Sequence, residues 1–322
     1  MSKIAFVTGI NGQDGSYLSE LLLEKNYSVH GMIRRTSLHP ESLKNIEHLL
    51  GKIELHFGDM THESQLCYLL NELKPDEIYN LAAQSDVRVS FDIPEYTGNV
   101  TGLGVTRLLE AMRRFSPNSR LYQAGSSEMF GSSLPPQNEQ TPFAPLSPYG
   151  IAKYYAHRMS DIYRKGYGLF VANGILFNHE SPRRGKNFVT RKITVAANEI
   201  ARGERKELFL GNLEAKRDWG YSPDYVRAMW LMLQQDEPDD FVIGTGEAHT
   251  VKEFVEEAFN LVKLDWKDYV KIDPKFYRPT EVVYLCADAK KAREKLGWIP
   301  LVSFKQLVQI MMAEDKNARY ET

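Results

Sequence analysis

Tyr149 and Lys153 stand four residues apart in the stretch Ser147-Pro148-Tyr149-Gly150-Ile151-Ala152-Lys153. On a helix that spacing puts a phenol and an ammonium on one face, where the cation favours the phenolate and lowers its pKa. The chemistry on offer is a base that takes a proton from an alcohol. The same stretch also reads as an ordinary helix start, with Ser147 as the cap and Pro148 in the first turn. Both readings stay open on these residues alone, and the rest of the chain must decide between them.

The elements that would position such a pair begin at the N-terminus. Residues 4–7 form a short apolar run, followed by Thr8-Gly9-Ile10-Asn11-Gly12-Gln13-Asp14-Gly15 and by residues 16–25, whose Leu18, Leu21 and Leu22 have helical spacing. Strand, glycine turn and helix in that order suit a pyrophosphate: the glycines allow a tight turn and close backbone approach, and the helix N-terminus favours an anion. A plain glycine-rich turn is the alternative. After the next expected strand, residues 29–33, a site for the ribose of NAD would carry an acid; this chain has Arg34-Arg35 followed by Thr36 and Ser37. Two guanidiniums fit a 2′-phosphate, so NADP is the expected cofactor.

Further apolar runs at 53–57, 77–81, 120–123 and 169–175 alternate with amphipathic segments such as 61–73 and 100–115. This alternation predicts an α/β chain with a Rossmann-type, doubly wound parallel sheet. Its ligand cleft would lie at the carboxyl ends of the strands, in the loops Gly58-Asp59-Met60, Ala82-Ala83-Gln84-Ser85 and Gly125-Ser126-Ser127-Glu128. Asp59 suits either an adenine contact or the acid of a helix start. Past residue 176 the sheet pattern thins. Residues 178–185 read as a polar loop, 190–202 as a helix, and 240–243 and 251–262 as a later strand and helix. The expected organisation is a cofactor domain over 1–176, completed by segments near 215–245, and a smaller, discontinuous, mostly C-terminal α/β substrate-binding domain over 177–322. Arg183, Arg184, Lys186, Arg191, Lys192, Arg217 and Arg278 are the downstream basic candidates, several of them in Gly- or Pro-containing loops where an anion such as a diphosphate can approach.

Bulk properties narrow the function classes. With 322 residues, 43% of them hydrophobic, the chain can bury a sizeable core, and Lys+Arg 40 against Asp+Glu 42 argues against general adhesion to nucleic acid or membrane. Cys67 and Cys286 are the two cysteines and read as packing residues in a reducing compartment. No signal pattern or membrane-length apolar run is visible, so a cytoplasmic location is expected. No set of His, Cys and carboxylates has metal-ligand spacing, so no catalytic metal is expected.

The glycine turn together with Tyr149-x-x-x-Lys153 resembles the extended short-chain dehydrogenase/reductase family. Gly-Gln-Asp-Gly at 12–15, Tyr-Asn-Leu-Ala-Ala-Gln-Ser at 79–85, Gly-Ile-Leu-Phe-Asn-His-Glu-Ser-Pro-Arg-Arg-Gly at 174–185, Phe-Val-Thr-Arg-Lys at 188–192 and Arg-Asp-Trp-Gly at 217–220 narrow the likeness to its GDP-mannose 4,6-dehydratase group. The resemblance implies NADP held by Gly9, Asn11, Gly12, Gln13, Asp14, Arg34, Arg35, Asp59, Met60, Leu81, Ala82, Ala83, Ser85, Tyr96, Lys153, His179 and Arg184. It implies GDP-mannose held near Asn178, Lys192, Gly211, Arg217, Arg278 and Glu281, with the hexose reaching Ser85, Ser126, Glu128 and Tyr149. It also implies a homodimer or homotetramer, in which the loop of residues 35–44 could be shared between subunits. Asn11 stands where such relatives usually have Thr, Gly125 where they have Ser, and Ser126 where they commonly have a catalytic Thr; Ser keeps the hydroxyl but not the stiffening methyl.

The reaction implied is internal redox with net loss of water. Tyr149, Lys153 and Ser126 would handle the hydroxyl on carbon 4 of the hexose, and Glu128 would be the acid/base that drives elimination between carbons 5 and 6. An epimerase or reductase would share the Tyr/Lys pair without needing that carboxylate. A cofactor-sensing regulator on the same fold would be expected to have lost the pair, which is intact here.

Overall fold

The computed structural model describes residues 2–35 and 40–316. In chain order its strands are β1 (Ile4–Thr8), β2 (Ser28–Ile33), β3 (Glu54–Phe57), β4 (Glu77–Asn80), β5 (Arg120–Ala124), β6 (Phe170–Leu176), β7 (Asn178–Glu180), β8 (Leu208–Leu210), β9 (Lys216–Tyr221), β10 (Asp240–Ile243), β11 (Ala248–Thr250) and β12 (Val270–Ile272). Seven of them form one parallel sheet in the order β10-β6-β5-β4-β1-β2-β3. The order reverses between β1 and β4, the switch point at which a doubly wound sheet opens a crevice beyond its carboxyl ends.

Side-chain alternation sends successive residues of β1 to opposite faces. Ala5 and Val7 pack with the helices Gln13–Glu24 and Ser222–Leu233, whereas Phe6 packs with Glu63–Leu73 and Gly104–Phe115. The first of these cores also takes in Ala289, Ala292, Leu296 and Trp298 from far along the chain. β10 closes the sheet beside β6, so residues 240–243 belong to the sheet as well.

The first helix starts at Gln13, three residues before the expected start at residue 16, which places Gln13 and Asp14 in its first turn. Gly15 makes that start possible: a Cβ there would stand 2.5 Å from Gly9 O and 2.6 Å from Ile10 Cα, closer than packed atoms approach.

A second layer is built from β7, β9 and β11, the parallel pair β8 and β12, and the helices Val189–Ala201, Val251–Leu261 and Phe304–Asp315. Its own core includes Ile193, Leu208, Trp219, Phe254, Val270 and Met311. The expectation of a polar loop over 178–185 is corrected at its start, because Asn178–Glu180 pairs in parallel with Trp219, Gly220 and Tyr221. A three-residue strand is too short to show a periodic pattern.

Within the loop of residues 35–44, residues 36–39, including Thr36 and Ser37, lie outside the described residues.

Candidate active site

Helix Pro148–Tyr167 carries the Tyr/Lys pair. Ser147 caps it by accepting from Gly150 N at 3.0 Å, and Pro148 occupies its first turn, so the ordinary reading of this stretch is also true. Tyr149 and Lys153 are buried on one face of it. Gly150 lets that helix approach the loop after β5, since a Cβ there would be 2.8 Å from Glu128 O. Ser126, Glu128, Tyr149 and Lys153 thereby line one cleft of ≈ 440 Å³ at the carboxyl end of the sheet.

The Lys153 ammonium donates to Ala124 O at 2.8 Å and lies 5.8 Å from the Tyr149 ring centroid. Burial pushes the Tyr149 phenol up to about 12, with the Ser126 hydroxyl and Arg184 acting in the opposite direction and Glu128 adding to the rise. Burial also brings the Lys153 ammonium down to about 8. The expected lowering of the phenol by Lys153 is thus not what the chain alone provides: two buried groups in a poor dielectric each favour their neutral form.

Glu128 lines the same cleft. Ser126 caps its short turn, accepting from Glu128 N at 3.2 Å. Oε1 of Glu128 lies 3.5 Å from Arg278 and 4.0 Å from Arg217, and Arg217 reaches Glu281 at 3.3 Å. Oε2 of Glu128 is buried and accepts no hydrogen bond from the described residues. Lys192 donates to Phe209 O at 2.6 Å and stands 3.6 Å over the Phe276 ring, beside Gly211. Three cations against two carboxylates leave this end of the cleft positive, fit for a diphosphate.

All ten residues expected around the sugar nucleotide line this cleft: Ser85, Ser126, Glu128, Tyr149, Asn178, Lys192, Gly211, Arg217, Arg278 and Glu281. Of those expected around the cofactor, Asp14, Leu81, Ala83, Ser85, Lys153, His179 and Arg184 line it too. Gly9 and Ala82 are not among its lining residues but meet each other, where a Cβ on Gly9 would be 3.0 Å from Ala82 N. Gly12 begins the first helix without a side-chain cap. Asn11 bonds Ser42 O at 3.0 Å. Gln13 is buried as a brace, donating to Asp14 at 3.0 Å and His179 O at 3.1 Å and accepting from Ser181 at 2.8 Å. His179 completes the brace through Asp14 at 2.7 Å.

Arg34 and Arg35 are exposed after β2, and Arg34 donates to the Tyr96 hydroxyl at 2.5 Å. Asp59 accepts from the N–H and hydroxyl of Thr61, each at 2.8 Å, in a local turn. Met60 is 2% exposed and lies in the core under Gly104, its carbonyl accepts from Arg107 at 3.2 Å, and it does not reach the cleft. Asn187 and Phe276 also line the cleft, although no motif in the sequence singles them out, and so does Phe188, which opens the 188–192 motif without an expected site role. Asn187 donates to Asp86 at 2.6 Å across the cleft mouth, a link between residues 101 apart in sequence.

The parallel sheet, the glycine turn and the Ser126, Tyr149 and Lys153 side chains at its carboxyl edge define an extended short-chain dehydrogenase/reductase. More particularly, residues 6–311 match the GDP-mannose 4,6 dehydratase family, and the chain belongs to it. It is 57% identical to GDP-mannose 4,6 dehydratase 1 of Arabidopsis thaliana, over 97% of this chain and 90% of that protein. It is 50% identical to the Homo sapiens GDP-mannose 4,6 dehydratase, over 97% and 91%. Among solved structures, the UDP-glucose 4-epimerase of Thermotoga maritima with UDP-glucose superposes with a TM-score of 0.85 at 26% identity, covering 97% of this chain and 98% of that one.

Proposed function

We propose that this chain is a hydro-lyase that converts GDP-D-mannose to GDP-4-keto-6-deoxy-D-mannose with NADP as a resident cofactor. The observation that carries the reading is a buried carboxylate, Glu128, in the same cleft as the Tyr149/Lys153 pair and the Arg217/Arg278 pair. A dehydrogenase or epimerase has no need of that carboxylate.

The residues fit the cofactor. The uncapped first turn at Gly12 presents backbone N–H groups suited to a pyrophosphate, and the exposed Arg34 and Arg35 suit a 2′-phosphate. When bound, NADP supplies the redox chemistry, taking hydrogen with its electrons from carbon 4 and giving it back at carbon 6.

The chain supplies the proton chemistry and the binding. Tyr149 takes the proton of the hydroxyl on carbon 4, with Ser126 bonded to the same oxygen. The resulting ketone acidifies the hydrogen on carbon 5, which Glu128 removes. The carbon 6 hydroxyl then leaves as water, protonated by the same carboxyl group, and carbon 5 regains a proton at the close of the cycle, balancing the one Tyr149 took from the carbon 4 hydroxyl. Arg217, Arg278 and Lys192 hold the diphosphate, and Lys153 keeps a donor beneath Tyr149.

The same reading includes a cofactor-binding sheet domain, a smaller substrate-binding domain, a cytoplasmic setting and self-association as a dimer or tetramer. The exposed apolar side chains of Leu103, Ile151, Tyr155 and Ile162 on neighbouring helices support an interface.

Product mass spectrometry on GDP-mannose, run in parallel with NADP and NAD, tests the proposal. A product lighter by one water, formed faster with NADP and without net consumption of reduced cofactor, is expected. A product of unchanged mass, or one that needs added reductant, would refute it.

A further inference from the structure

We propose that His30, Glu54 and His56 form a binding site for one divalent ion of the zinc class, on the outer edge of the sheet and apart from the catalytic cleft. Register creates the site. β2 and β3 pair His30 with Glu54, and His56 follows two residues on, so all three side chains leave the sheet on the same face. Among the described residues they are the one group of three such side chains whose ligand atoms all lie within 4.8 Å of one another.

The distances suit coordination. His30 Nδ1 is 3.0 Å from His56 Nε2 and 3.6 Å from Glu54 Oε2. Tetrahedral ligation at about 2.0–2.1 Å requires ligand atoms roughly 3.3 Å apart, between those two values. The other nitrogen of His30, Nε2, meets Ser28 Oγ at 3.2 Å, the outer partner that fixes the ring of a metal-bound histidine. Burial is graded: His30 is 7% exposed and held by the sheet, His56 is half-buried, and the Glu54 side chain is 70% exposed, which provides an entry path.

Two imidazoles and one carboxylate select zinc, nickel or copper over magnesium or calcium, and three protein ligands leave a fourth position for water. The two facing histidine nitrogens otherwise share a single proton, which the ion would replace. None of the three residues lines the catalytic cleft. The bound ion would pin the edge strand β3 to β2.

Calorimetric titration of the chelator-stripped full chain with Zn²⁺ alone tests the site. One saturable equivalent is expected, together with a rise in melting temperature and, with Co²⁺ instead, the visible absorption of a tetrahedral N/O site. His56→Ala and the exposed substitution Glu54→Gln should weaken binding by more than the roughly 10- to 100-fold that loss of an outer partner costs, and Ser28→Ala by about that amount. Glu54→Gln touches no buried contact, so a folding defect cannot imitate its effect, and turnover of the nucleotide sugar should not change. Absence of saturable binding by the unsubstituted chain, or Zn²⁺ affinity unaltered in His56→Ala and Glu54→Gln, would overturn the proposal.

Discussion

Arg278 Nη1 stands 3.5 Å from Glu128 Oε1 and 3.8 Å from Glu281, so the guanidinium proposed to hold the diphosphate also touches the carboxylate proposed to drive elimination. With those roles, binding and chemistry would be coupled through that contact. Arg278→Gln is expected to raise KM for the GDP-sugar by roughly 10- to 100-fold, the worth of a charge-assisted hydrogen bond, and to lower kcat as well. Steady-state kinetics would show both. An effect on KM alone would mean that the contact with Glu128 has no part in turnover.

Glu128→Gln separates the two halves of the reaction. Loss of an acid/base group should lower product formation by about 10²- to 10⁴-fold. Oxidation at carbon 4 is untouched, so rapid mixing with GDP-mannose should reveal reduced cofactor building up to one equivalent per site at most. Tyr149→Phe should show neither product nor that absorbance.

The Tyr149 phenol, pushed up to about 12 by burial, and the Lys153 ammonium, brought down to about 8 by burial, give a titration with a definite sign. Tyr149 must be ionised to act as a base and Lys153 must keep its proton to support it. The rate should therefore rise with pH and then fall as pH passes through the Lys153 value. Without cofactor, the ultraviolet difference between the unsubstituted chain and Tyr149→Phe should show no tyrosinate at about pH 9; with NADP⁺, whose nicotinamide is positive, the signal should appear. Tyrosinate near neutral pH in the cofactor-free chain would contradict this.

Burial alone would raise the Asp14 carboxyl, yet the His179 ring at 2.7 Å outweighs it and holds the group at about 2. His179 is raised in turn, Asp14 overcoming the effect of burial. The contribution from Asp14 is present above its ordinary value and lost as pH falls through about 2. That of His179 is present below its ordinary value and lost as pH rises through its folded value. His179→Gln should cost about 2 kcal/mol, less than a fully buried pair. The gap in melting temperature should be widest near pH 5–6, about midway between the two ordinary values, and narrow above it. The variant should also bind NADP more weakly, because the brace sets the glycine turn.

Much of this architecture was legible because it is periodic. β1, β2, β4, β5 and β6 follow their apolar runs to within a residue or so, and β10 follows its run over 240–243. The ten residues expected around the sugar nucleotide line one cleft. Ser85, Tyr149, Asn178, Lys192 and Arg217 stand in the sequence motifs, whereas Gly211, Arg278 and Glu281 stand outside them and come from the family resemblance. What escaped is what tertiary pairing alone creates. Asn178–Glu180 becomes a strand only by meeting Trp219–Tyr221, and Asn187 and Asp86, far apart in sequence, bond to each other at the cleft. The inverted ionisation of Tyr149 and Lys153 depends on burial, which residue spacing does not reveal. The His30, Glu54 and His56 cluster is likewise a product of strand register.

The central claim, that one cleft oxidises carbon 4 and reduces carbon 6 of the same hexose, is tested most directly by isotope. GDP-mannose carrying deuterium at carbon 4 is incubated with the NADP-loaded protein, and the product is read by mass and NMR spectroscopy. The account predicts a 4-keto-6-deoxy product, lighter by one water, with the deuterium on carbon 6 and no net reduced cofactor. Deuterium washed into solvent, retained at carbon 4, or left on the cofactor would contradict it.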